Sequence, residues 1–137
     1  MANSKSIGVA FSDQDIRGAD FLYADSEIGY TAAARGTVTQ LTDKSTAVTL
    51  NKSAGTVTMN AAALGATTSV NFVLNNNLIS VGDAVIVSFV SGAATPGTYT
   101  LWVTALTAGA VTLTLRNITA GILSEAVVFN FVIVHAG

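Results

Sequence analysis

The side chains able to do acid–base or nucleophilic work are few. One histidine, His135, stands third from the C-terminus, so a Ser-His-Asp relay built on it would put the base where chains fray. Cysteine is absent, which removes thiolate nucleophiles and a disulfide framework and, with a single histidine, leaves no zinc site. Asp13-Gln14-Asp15 offers two carboxylates to a divalent ion, but the glycine and bidentate acid that an EF-hand loop needs at set positions are missing, so the pair reads as solvated carboxylates. No GxGxxG and no P-loop lysine pattern cradles a phosphate. Asn51-Lys52-Ser53 and Asn117-Ile118-Thr119 fit the glycosylation sequon. The opening MANSKSIGVAFSDQD has no apolar h-region before its acidic residues, so no secretory signal is read and the sequons are taken as chance. Catalysis and a cofactor are therefore not expected.

Recognition chemistry has more to work with. Trp102 shares a strand face with Thr100 and Thr104, opposite Leu101 and Val103. A tryptophan there could pack on its sheet, stack on a sugar ring or anchor a protein contact, and the enrichment of tryptophan at interfaces favours the contact. The six basic residues are scattered and the net charge is −2, which gives no footprint for nucleic acid. No run approaches the roughly 18 apolar residues of a membrane helix. Charged residues make up 10% of the chain, against about 25% in an ordinary soluble domain. A surface so poor in charge favours self-association, so much of it is expected to be covered by other copies or by a partner.

Composition divides the chain. Residues 1–35 hold five acidic and three basic residues, with Phe11, Ile16, Phe21, Leu22, Tyr23 and Tyr30 following no regular period among scattered glycines. Disordered tails are poor in aromatics, so this segment reads as an extended arm that lays those six side chains into grooves on a partner. Residues 36–137 form the domain, with three acidic and three basic residues in 102 positions.

Within the domain the apolar period is two. Strands are predicted near 36–41, 46–51, 55–60, 68–75, 83–90, 97–106, 110–117 and 125–135, with one helical turn at 61–65. Eight short strands between turn signals predict an all-β fold, an antiparallel β-sandwich of jelly-roll type behind the arm. The expected inward faces include Val38, Val48, Leu50, Val57 and Met59; Val70, Phe72 and Leu74; Val85, Val87 and Phe89; Val111, Leu113 and Leu115; and Val127, Phe129, Phe131 and Ile133. Threonine fits a pleated surface without bringing charge, and Thr56 and Thr58 are expected to face a neighbour or a thin water layer. The last strand, VVFNFVIV, is apolar on both faces, with Val128, Val132 and Val134 opposite the phenylalanines. Such a strand needs cover on both sides, from its own sheets or from a neighbouring subunit; on the second reading these three valines, with Thr56, Thr58 and Trp102, are the self-association candidates.

The stretches GTVTQLTDKSTAVTLNKSAGTVTMNAAAL, SVNFVLNN, GTYTLWVTAL, VTLTLRNITAG and LSEAVVFNFVIV resemble a group of small virion proteins of tailed bacteriophages, over about residues 36–134. The resemblance implies a capsid decoration or cement role, with fibre or tail attachment as a less common use; on the first of these the chain is expected on the virion surface, made in the host cytoplasm, as a homotrimer or dimer bound to the major capsid protein. No functional residues carry over, because the likeness is one of scaffold. The other function considered is a fibre or receptor-binding head domain that recognises a cell-surface glycan through Trp102 and Asn75, Asn76 and Asn77.

Overall fold

The computed structural model describes residues 23–136. A single 3-10 turn, Ala32–Ala34, leads into eight strands: β1 Arg35–Thr39, β2 Val48–Thr49, β3 Ala54–Thr58, β4 Ser69–Asn75, β5 Ala84–Ser91, β6 Tyr99–Thr107, β7 Ala110–Asn117 and β8 Val128–Val134. They form two four-stranded sheets, sheet A in the order β1-β3-β8-β5 and sheet B in the order β2-β4-β7-β6. The all-β sandwich of eight strands is thus as the sequence predicts.

The ladders are less uniform than an antiparallel fold would have them. β1 runs parallel to β3 and β2 parallel to β4, while the other four pairings are antiparallel. Parallel neighbours need a crossover. Here the chain supplies it by alternating between sheets: β1, β2, β3 and β4 fall in A, B, A and B, and only β6 and β7 are consecutive strands of one sheet. The β1–β3 ladder sets two copies of Gly-Thr-Val-Thr in register, Gly36 on Gly55, Thr37 on Thr56, Val38 on Val57 and Thr39 on Thr58. That repeat, 19 residues apart, was a legible sign of the pairing. Its second glycine is required, since a Cβ on Gly55 would lie 2.6 Å from Leu50 Cδ2 and 2.8 Å from the Gly36 carbonyl oxygen. β6 and β7 turn through Ala108-Gly109, where Gly109 has φ 80, a left-handed conformation that glycine adopts without steric cost.

The core fills the space between the sheets with the residues the alternation assigns to it. Val57, Leu74, Val111, Leu113, Leu115, Val127, Phe129 and Ile133 are all sealed from solvent, and the Phe72 and Phe129 rings meet at 5.8 Å between centroids with their planes at 54°. Two expectations fail. Residues 61–65 form no helical turn; Leu64 instead exchanges backbone hydrogen bonds with Leu123, at 2.8 and 3.1 Å. Phe89, expected inside, is 43% exposed, because β5 is an edge strand whose register shifts between Phe89 and Ser91. No helix among the described residues is long and apolar enough to cross a membrane.

Candidate assembly surface

The charged residues explain how so few of them suffice. Of the six that follow Gly36, only Arg116 stands on a strand; the other five lie in the connecting segments. Asp43 accepts hydrogen bonds from the Ser45 amide, the Ser45 hydroxyl and the Thr46 hydroxyl, which hold its carboxyl below the usual value. Lys44 is buried, its ammonium donating to the Asn60 and Glu125 carbonyls, the second at 2.6 Å. Burial pushes its pKa down, and the Glu125 charge opposes that only in part. Lys52 reaches back to the Ala33 carbonyl at 2.8 Å, and Glu125 accepts the Ala94 amide at 2.6 Å. Asp83, its side chain 1% exposed, accepts from the Ser80 and Ala136 amides and lies 2.9 Å from His135 Nδ1. These contacts, the Ser80 amide foremost, hold the Asp83 carboxyl below its usual value. Burial, and then the adjoining Glu125 carboxylate, push the Tyr99 hydroxyl up to about 12.

Charge therefore staples loops, and the sheet faces are left to uncharged residues. The His135–Asp83 pair has the base–orienter half of a hydrolytic triad, but no hydroxyl among the described residues bonds to the other ring nitrogen. The described residues also hold no group of three or more potential metal ligands.

Asparagines act in the same structural way. Asn117 is fully buried, its amide donating to the Leu64, Gly65 and Gly121 carbonyls and its oxygen accepting from Thr119, so this sequon is a loop knot with no accessible amide. Asn76, 1% exposed, donates to the Lys52 carbonyl and accepts the Leu78 amide, which takes it out of any glycan site. Asn75 and Trp102 do not converge either. Trp102 stands in register with Thr114 and Asn71, and Asn75 lies four residues further along β4, about 13 Å at the rise of a strand.

The outward face of sheet A is where the candidates gather. Cross-strand rows place Arg35, Ala54, Val132 and Ile86 in line, then Thr37, Thr56, Asn130 and Ser88, then Thr39, Thr58 and Val128. Val128, Val132, Thr56 and Thr58 are half-buried there, while Val134 is 51% and Ile86 56% exposed. Thr56 donates its hydroxyl to Asn130 Oδ1 at 2.7 Å, so even its polar row is satisfied within the sheet. Arg35, at one margin, is the only charged residue in these rows. Beside it a trough of about 530 Å³ runs between Ala32, Arg35 and Thr37 on one side and Asn130 and Val132 on the other.

No protein family, characterised protein or solved structure matches this chain.

Five of the six predicted self-association residues thus share one surface. Trp102 does not, since it lies 40% exposed on the outward face of sheet B with Thr100 and Thr104. Of the arm residues, Phe11, Ile16, Phe21 and Leu22 lie outside the described residues. Tyr23 is 84% exposed, and Tyr30 donates its hydroxyl to the Ile133 carbonyl at 2.5 Å, which fixes the root of the arm to its own β8. Ile86 was missed by the sequence reading, although AVIVSFV is apolar on both faces in the same way as the last strand.

Proposed function

We propose that this chain is a structural protein of a phage virion, a head decoration or cement protein that coats the assembled capsid shell as a homo-oligomer. The observation that carries the reading is the outward face of sheet A, built from Ile86, Val128, Val132 and Val134 among neutral threonine, serine and asparagine. A free domain has no use for such a face. An exposed strand surface with this composition invites pairing and aggregation unless something covers it. The spending of charge on loops, and the resemblance of residues 36–134 to small virion proteins, support the same reading. Selective binding to the lattice over its free subunits stabilises the lattice by mass action, without any chemical step.

The arm is assigned to the major capsid protein, and the sandwich to contacts between copies. Removing residues 1–22 leaves every strand and the whole described core in place. The truncated chain is therefore expected to stay folded and to lose co-sedimentation with capsids that lack the protein. Binding by the intact chain is expected to change little between about 0.1 and 1 M salt, because apolar and backbone contacts are not screened as exposed charges are. A truncated chain that coats capsids as well as the intact one would remove the arm from this role.

A further inference from the structure

We infer that β5 is an open pairing edge, and that its partner is β5 of a second copy, joined antiparallel about a two-fold axis at Val87. Among the described residues each sheet has two edges, and three of the four are blunted. β1 carries Arg35 and is five residues long. β2 is two residues long, and β6 is broken midway by a register shift between Val103 and Ala105. Short edges, charges and bulges are the usual means by which proteins prevent edge-to-edge association. From Ala84 to Phe89, β5 has none of them: six residues in regular register, without charge or proline.

Its backbone is also set up to bond. Ile133 donates its amide to the Ser53 carbonyl, on the β3 side of β8. Val85, Val87 and Phe89 stand opposite Ile133, Phe131 and Phe129. Antiparallel alternation then turns the N–H and C=O groups of Val85, Val87 and Phe89 away from β8, toward the open edge. A two-fold at Val87 sets Val87 against itself and Val85 against Phe89 of the second copy, which satisfies all of these groups in about six hydrogen bonds. A phenylalanine beside a valine is a favourable cross-strand pair, and it covers the ring that the single sandwich leaves 43% exposed.

Three features commit the edge to a second copy. It bears no charge, so the two-fold sets no like charges together. Pairing Val85 of each copy with Phe89 of the other sets each half-exposed Phe89 ring against a valine, twice over about the axis. Ring and valine are thus supplied by one sequence at self-complementary positions, as an isologous interface requires. The regular run from Ala84 to Phe89 is about 20 Å long on a sandwich about 20 Å thick with its side chains, a footprint of roughly 400 Å² per copy, the size of a reversible dimer at the low end of specific interfaces. The inference gives the proposed self-association a surface, and it holds or fails on the isolated protein, whatever the capsid assay shows.

Amide hydrogen exchange on the intact chain, at concentrations above and below its association midpoint by sedimentation, tests it. The amides of Val85, Val87 and Phe89 are expected to be protected in the associated protein and to exchange freely on dilution. The exposed double substitution Ile86→Lys and Ser88→Lys, which sets lysines across the axis, is expected to weaken association roughly tenfold or more. Trp102→Ser, on the far sheet, is expected to leave it unchanged. An oligomer in which those three amides exchange at the unprotected rate would overturn the inference, as would a chain that stays monomeric at about 100 μM or a double variant that associates as the parent does.

Discussion

Lys44 shows what a charged residue does in a chain with so few. Its ammonium satisfies two carbonyls, of Asn60 and Glu125, that lie 65 residues apart in sequence, and it ties the β1–β2 connection to the loop before β8. Lys44→Met keeps the length and apolar body of the side chain but leaves both carbonyls without their donor. A loss of about 2–3 kcal/mol in unfolding free energy is expected, from urea titration; an unchanged midpoint would mean those carbonyls find other donors. Asp83 carries a pH dependence of definite sign. Its carboxyl is depressed in the folded protein, so the stability it contributes is full above the ordinary aspartate value of 3.8 and is lost as pH falls below that, through the depressed value. The melting temperature is expected to drop on acidification below about pH 4, and Asp83→Asn to flatten that drop while lowering the melting temperature at pH 7.

At the scale of elements, the alternation of β4, β7 and β8 was enough to identify their inward faces, because each is a central or near-central strand packed by the opposite sheet. The same rule misplaced Phe89, since alternation assigns a side but is blind to whether a strand stands at an edge. Strand direction was hidden for a similar reason: period two is the same in parallel and antiparallel ladders, and only the repeated Gly-Thr-Val-Thr carried the register. The buried roles of Asn76 and Asn117 were beyond a reading by type, because a loop asparagine shows its partners only when distant backbone arrives beside it. The β1–β3 register makes its own prediction. Gly55→Ala drives a methyl group against the Gly36 carbonyl and Leu50, and a loss of about 1–3 kcal/mol is expected by urea unfolding. Gly121→Ala, which meets nothing within 4 Å, should stay within about 0.5 kcal/mol of the parent.

For the whole molecule, the low charge of the sequence and the bare face of sheet A have one cause. The six charged residues after Gly36 are nearly all engaged in holding loops, so the sheets meet their surroundings through valine, isoleucine and threonine. On the proposed function such a protein works in an assembly, with the arm assigned to the capsid partner, the β5 edge to another copy, and the outward face of sheet A to a covered surface. Labelling intact particles with gold-conjugated antibody raised against this chain tests that account most directly. Decoration distributed over the head is the predicted result; label confined to the tail or its fibres, or none on intact particles, would contradict it.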